Sequence, residues 1–324
     1  MLSNIHHSVK DNLESFGHKH THLIAAFCLY GVYTVGSTAL SCSWRLFKTF
    51  LRPGRNLFKR YQGGYVLVTG ATFGLGLEYA RQFASKGFNL VLVARNQEKL
   101  DGVKRKFKEE FGDIDIKLIV FDFDKPYTAE GYQPLKDALN QIEDISVLVN
   151  NVGALKADYF NDLDIDMINT MLQVNLVPQT IITKFMLPKL LERSKNQGKR
   201  TAIISLSSVA HYTRMRRSTI YSATKSFNKT LSDVLRKEYG EHIDIMAVLP
   251  GVTKSQMITF DAPFVLQPEQ HVRWTLSDLG YNSQTFGHYK HWIYGNAYRL
   301  PGFEAFYTRL RLRLLDQKKK EQDK

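Results

Sequence analysis

Between Tyr65 and Leu249 short apolar runs alternate with longer stretches of mixed character. The runs are Tyr65 to Val68, Asn89 to Ala94, Lys117 to Phe121, Ser146 to Val149, Thr201 to Leu206 and Ile243 to Leu249. Each is a few residues long and apolar but for one or two positions, the pattern of strands buried on both faces. The intervening stretches, from Leu75 to Gly87, Asn96 to Phe111, Met171 to Arg193 and around Tyr221, read as helices. Regular alternation of strand and helix predicts an α/β fold, a single doubly wound parallel sheet covered by helices on both faces.

The first sixty residues follow another pattern. From Thr21 to Trp44 no residue is charged, which meets the roughly 20 residues that a membrane helix needs. Thr34, Ser37, Thr38, Ser41 and two glycines dilute it, so a buried helix or an interfacial hairpin is the competing reading. Lys10 and Lys19 precede the segment; Arg45, Lys48, Arg52, Arg55, Lys59 and Arg60 follow it, which puts the C-terminal side in the cytoplasm. Asp11 and Glu14 argue against both a cleaved signal peptide and a mitochondrial transit peptide, without excluding a mitochondrial membrane. Pro53-Gly54 marks the linker. The expected division is an anchor with basic linker over 1–60, a catalytic domain over 61–260 and a C-terminal extension over 261–324.

The chain has 324 residues, 44% of them hydrophobic, enough for one large α/β domain with extensions. A net charge of +13 suits anionic lipid or phosphate-bearing ligands. The basic residues cluster around the anchor and the tail, and no recognition motif accompanies them, so nucleic acid is not expected as a partner. Cys28 and Cys42 are the only cysteines; on one helix at about 1.5 Å per residue they stand roughly 21 Å apart, too far to bridge. The cysteine-free remainder is compatible with a reducing compartment.

Chemistry enters at the turns. After the first apolar run comes Thr69-Gly70-Ala71-Thr72-Phe73-Gly74-Leu75-Gly76, opening a helix. Strand, glycine-rich turn and helix is the context of a dinucleotide phosphate site. Gly70 permits the turn, Gly74 admits the pyrophosphate, Gly76 lets the helix pack, and the helix N-terminus supplies unpaired N–H groups. Arg95 follows the second strand where an acid would select NAD, so NADP(H) is expected through its 2′-phosphate. Asp122 lies just past the third strand, at the ligand edge of such a sheet. Tyr221 and Lys225, four apart on a helix, share a face.

Thr69-Gly70, Gly74, Gly76, Asn150-Asn151-Val152-Gly153, Asn175, Ser208 and Tyr221-Ser222-Ala223-Thr224-Lys225 occur in an order and spacing that resembles the short-chain dehydrogenase/reductase family, over roughly residues 64 to 257. The resemblance implies a Rossmann-type domain. It also implies a catalytic set of Asn175, Ser208, Tyr221 and Lys225. A cofactor set of Gly70, Thr72, Gly74, Leu75, Gly76, Arg95, Asp122, Asn150, Gly153, Tyr221, Lys225, Pro250, Gly251, Thr253 and Ser255 goes with it. Tyr221 would give a proton to the developing alkoxide. Lys225 would acidify it and hold the nicotinamide ribose, Ser208 would fix the carbonyl, and Asn175 would support a water. Bringing a phenol from about 10 down to about 7 takes roughly 4 kcal/mol of preferential phenolate stabilisation, much of it expected from Lys225.

The anchor, the Asn-Asn-Val-Gly and Tyr-Ser-Ala-Thr-Lys segments and the tail from Gly287 to Lys324 resemble the branch of 17-beta-hydroxysteroid dehydrogenases and very-long-chain 3-oxoacyl-CoA reductases. That branch implies residence in the endoplasmic reticulum membrane and a lipophilic ketone substrate, a 3-oxoacyl-CoA or a steroid. A homodimer or a partner in a membrane complex is compatible with it. The tail mixes Phe303, Phe306, Tyr307, Leu310, Leu312, Leu314 and Leu315 with Arg309, Arg311 and Arg313, then Lys318 to Lys320. It reads as a basic amphipathic element for anionic lipid, or as a solvated helix end. Two departures from the family stand out. Phe73 occupies a position often small or polar, and the stretch from His211 to Arg217 is bulky and basic, either a receptor for CoA phosphates or a loop facing solvent or lipid. They keep a second class open, a catalytically idle structural subunit or binding module. No residue set in the chain reads as a metal site.

Overall fold

The computed structural model describes residues 20–47, 51–125, 128–213, 215–254, 265–298 and 300–322. The chain forms two compact units, Met1–Pro53 and Gly54–Lys324. In the first, helix α1 spans Thr21–Leu46. Its stretch Thr21–Ser41 is long and apolar enough to cross a membrane, with mean hydropathy 1.6 and none of it buried.

The second unit opens with the short helix α2 (Leu57–Tyr61), capped by the Asn56 side chain, which accepts from the Lys59 N–H at 2.9 Å. Then follow β1 (Tyr65–Thr69), α3 (Gly74–Ala84), β2 (Asn89–Ala94), α4 (Gln97–Phe111), β3 (Ile116–Val120), α5 (Ala129–Asn140) and β4 (Ile145–Asn150). A one-turn 3₁₀ helix (Phe160–Asp162) precedes α6 (Ile165–Lys195), β5 (Thr201–Leu206), α7 (Ala210–Thr213), α8 (Thr219–Tyr239) and β6 (Ile243–Val248). The chain ends through α9 (Pro268–Asp278), β7 (Gln284–Thr285), α10 (Tyr289–Ala297) and α11 (Phe303–Gln322).

The seven strands are all parallel, in the order β3-β2-β1-β4-β5-β6-β7. The order reverses between β1 and β4, so a crevice opens at their C-terminal ends. Successive residues point to opposite faces. Val66, Val68, Leu90 and Leu92 pack with Tyr79, Phe83, Leu100, Phe107, Val272 and Leu276 under α3, α4 and α9. Leu67, Val91 and Val93 pack with Tyr132, Leu135, Leu139, Ile182, Met186 and Leu190 under α5 and α6. That two-sided burial is why the strands read as apolar runs.

Three features depart from the expectation. The boundary between units falls at Pro53, not Arg60, because α2 is part of the larger unit. Leu57 and Tyr61 are buried, and Arg60 forms a two-pronged ion pair with Asp244 of β6 at 2.6 and 2.9 Å. Helix α6 begins six residues before Met171, at a cap in which Asp164 accepts from the Met167 N–H at 2.6 Å. The segment past residue 260 is also no appendage, since β7 completes the sheet edge and α9 packs on α3. A two-residue strand is too short to carry a periodic signal.

Candidate active site

The site assembles at the C-terminal ends of β1, β4, β5 and β6. At the first, the glycine turn is held by Asn151: its side-chain amide donates to the Thr69 carbonyl at 2.9 Å and to the Gly70 carbonyl at 3.3 Å. In return the Thr69 hydroxyl accepts from the backbone N–H of Asn151 at 2.9 Å and of Val152 at 3.1 Å. Gly76 sits against this clasp. A Cβ there would fall 2.2 Å from the Gly70 carbonyl oxygen and 2.4 Å from the Asn151 amide nitrogen, so only glycine lets α3 come this close. Asn150 behaves differently: its amide donates to the Thr183 hydroxyl of α6 at 2.9 Å. The staple is therefore Asn151, a residue the sequence reading did not single out, although the Asn150-Asn151 doublet carried the signal.

Helix α3 starts at Gly74, with Phe73 as its exposed N-cap and no side chain capping it. Its first-turn N–H groups thus keep the orphan donors that anions take up. Thr72, Gly74 and Leu75 lie half-buried along the same turn. Arg95 is exposed immediately after β2. Asp122 is half-buried, and its carboxylate accepts from the Asp124 N–H at 3.1 Å.

The proton-bearing groups come from β5 and α8. The Lys225 ammonium is buried, donates to the Leu206 carbonyl at 2.9 Å, and lies 5.6 Å from the centre of the Tyr221 ring. Ser207, just past the end of β5, ties the strand to this helix by donating to the Lys225 carbonyl at 2.6 Å. Burial lowers the Lys225 ammonium to about 8. Burial also raises the Tyr221 phenol above its ordinary value, with a hydrogen bond to Ser208 pulling the other way. Desolvation thus disfavours the phenolate more than these protein neighbours favour it.

Ser208 is buried; its hydroxyl donates to the Pro250 carbonyl at 3.4 Å and accepts from the Ala210 N–H at 3.1 Å. Asn175, also buried, clasps the loop after β4. Its amide accepts from the Ala154 N–H at 2.7 Å and donates to the Ala154 carbonyl at 2.9 Å and the Thr224 hydroxyl at 3.1 Å. Gly153 lies between them, where a Cβ would stand 3.2 Å from Asn175 Oδ1 and 3.4 Å from Lys225 Nζ. Pro250 and Gly251 close the site beyond β6. The Thr253 hydroxyl is buried with no hydrogen-bond partner among the described residues, an opening for a polar ligand group. Ser255 lies outside the described residues.

Of the basic stretch, Arg217 is buried, paired with Asp158 at 3.3 Å and stacked over Tyr159 at 5.2 Å, so it is committed inside the protein. Arg216 is exposed, and Arg214 lies outside the described residues. In the tail, Phe306 and Leu310 are exposed on α11, while the side chains of Arg311, Leu314, Leu315 and Lys318 to Lys320 fall outside those described. Among the described residues no cluster of His, Cys, Asp or Glu fits a metal ion.

An uncapped helix after a glycine turn, together with a phenol, a hydroxyl and a buried ammonium at the mouth of a parallel sheet, defines a nicotinamide-dependent oxidoreductase of the Rossmann type. The chain belongs to the short chain dehydrogenase family, whose model matches residues 64–263. It is 31% identical over 284 residues to a mouse very-long-chain 3-oxoacyl-CoA reductase, covering 84% of this chain and 88% of the relative. It is 32% identical over 247 residues to hydroxysteroid dehydrogenase-like protein 1 of Gallus gallus, covering 74% and 72%. Among solved structures it is similar to a short-chain dehydrogenase from Sphingobium yanoikuyae in complex with NADPH, with a TM-score of 0.58 and 28% identity over 66% of this chain and 84% of that one.

Proposed function

We propose that this protein reduces a lipophilic ketone with NADPH, a 3-oxoacyl-CoA before a steroid ketone, and that Tyr221 donates the proton. The observation that carries the reading is the buried Lys225 ammonium beside the Tyr221 ring, with Ser208 against the same phenol. The dinucleotide would lie on Gly70, Thr72, Gly74, Leu75 and Gly76, with Arg95 toward its 2′-phosphate. Asp122, Asn150, Gly153, Pro250, Gly251, Thr253 and Ser255 would complete its seat. The orphaned first-turn donors of α3 and the unpartnered Thr253 hydroxyl support that fit. When bound, the reduced nicotinamide supplies the hydride.

The chain's own groups do the rest. Ser208 turns its hydroxyl proton toward the substrate oxygen, which orients the carbonyl. Tyr221 is kept protonated at neutral pH by burial, so it stands ready as an acid. As the alkoxide takes that proton, the ammonium of Lys225 offsets the phenolate left behind. Asn175, holding Ala154, keeps the floor of the site in place and supports the proton's replacement from water.

The long-chain acyl preference follows the mouse relative, of which the match covers 88%. We assign the enzyme to the endoplasmic reticulum membrane, anchored by α1, with the catalytic unit on the cytoplasmic side. The cations from Arg45 to Arg60, at and beyond the C-terminal end of α1, support that orientation. The exposed Phe306 and Leu310 beside Arg309 and Arg313 support contact of α11 with anionic lipid.

The test is purified protein with NADPH and a panel of 3-oxoacyl-CoAs of graded length and steroid ketones, followed by loss of nicotinamide absorbance. Turnover of the acyl-CoAs bears the proposal out. Turnover of neither class would leave a catalytically idle binding protein.

A further inference from the structure

Tyr221, Ser208 and the glycine turn leave unexplained why the Pro250-Gly251-Val252 turn is as tightly held as it is. Ser208 and the Val209 N–H hold one side, at 3.4 and 3.0 Å from the Pro250 carbonyl. The other side is held by His291, forty positions on, in α10. The Gly251 N–H donates to Nδ1 of His291 at 3.1 Å, and Nε2 of the same ring lies 3.0 Å from the Val252 carbonyl. An amide N–H can only donate and a carbonyl can only accept. Nδ1 is therefore the bare nitrogen and Nε2 carries the proton, so one neutral tautomer satisfies both bonds.

The fit is close in shape as well. His291 is fully buried. A Cβ on Gly251 would fall 2.7 Å from its Cδ2 and 3.1 Å from its Cγ, so the glycine is needed for the ring to reach the turn. Behind the ring stands the equally buried His271 of α9, with centroids 5.4 Å apart. One helical turn further, Gly295 meets the short helix α7, where a Cβ would fall 2.1 Å from the Tyr212 hydroxyl. Helix α10 thus braces both the turn beyond β6 and the loop that leads from Ser208 to Tyr221.

We infer that His291 is a positioning residue: it holds the Gly251-Val252 backbone in the form that seats the nicotinamide, and so sets where the cofactor's reactive ring meets Tyr221. The inference rests on the reading of that turn as the nicotinamide's seat. It assigns a role in the reaction to the C-terminal segment, beyond the region the family model matches.

Three full-length variants in detergent separate the two bonds. In His291→Asn the side-chain oxygen replaces Nδ1 as acceptor for Gly251. In His291→Gln the amide nitrogen replaces Nε2 as donor to Val252. His291→Ala removes both. The first measurement is hydrogen exchange of the Gly251 amide without cofactor, which bears on the clamp alone. Exchange about tenfold faster in Ala and Gln, with Asn near wild type, is expected for loss of one buried hydrogen bond. The second is the NADPH dissociation constant by fluorescence, expected to weaken about five- to tenfold in Ala and to recover in Asn.

Gly251 exchange equal in all four proteins overturns the inference, as does unchanged NADPH affinity in Ala. If Ala does not fold, the Asn and Gln proteins decide: slower exchange in Asn than in Gln supports the clamp, and equal exchange removes it. A wild type that binds no NADPH would sink the cofactor reading, while the exchange series still decides whether His291 holds the turn.

Discussion

The Lys225 ammonium lies 5.6 Å from the centre of the Tyr221 ring and donates a hydrogen bond to the Leu206 carbonyl. A cation and a phenol meet in a site dry enough to push both toward their neutral forms. That pairing stores charge that chemistry can use, at a cost in stability, and several consequences can be measured.

Tyr221→Phe should lower the reduction rate by about 10²–10⁴-fold, the usual worth of a positioned acid, and leave NADPH affinity within about twofold. Turnover near wild type would remove Tyr221 as the proton donor.

Lys225→Met should stabilise the fold while abolishing activity. Moving an ammonium from 10.5 to about 8 corresponds to about 3 kcal/mol of burial cost, less about 1 kcal/mol for the bond to Leu206. The folded protein binds that proton less tightly than the unfolded chain, so wild-type stability should rise as pH climbs from about 8 to 10.5. The gain in the variant is full below about 8 and vanishes above 10.5. Urea unfolding at pH 7 and 10.5 checks it; a variant less stable than wild type at pH 7 contradicts the burial cost.

Ketone reduction should hold level up to about pH 7 and fall through about 8 as Lys225 loses its charge, since Tyr221 stays protonated throughout that range. A kcat/KM profile flat to pH 10 would show that the ammonium is not needed.

Arg95→Asp should cut the preference for NADPH over NADH by about tenfold or more, the scale of one charge-assisted bond lost and a repulsion gained. A constant ratio of the two dissociation constants would rule out contact with the 2′-phosphate.

Truncation distinguishes anchor from domain. Removal of residues 1–53 should release a folded, soluble enzyme. Removal of 1–60 also strips buried Leu57 and the Arg60 partner of Asp244, and should lower stability by about 3–5 kcal/mol, read as a lower urea midpoint. Equal midpoints would show that α2 adds nothing to the larger unit, and persistent pelleting of the shorter truncation would shift membrane contact to α11.

The sheet was legible because β1, β2, β4, β5 and β6 are buried on both faces, so their composition alone marks them. The order of the glycine turn, Ser208, Tyr221 and Lys225 was legible for a related reason: each chemical role demands a residue type at a local spacing. Tertiary structure alone decided which side chain holds which turn. Asn151 reaches back to Gly70, and His291 reaches back to Gly251, and contacts between residues so far apart leave no periodic trace in the chain. It also decided the proton affinities of Tyr221 and Lys225, because desolvation is set by everything packed around a group rather than by its neighbours in sequence.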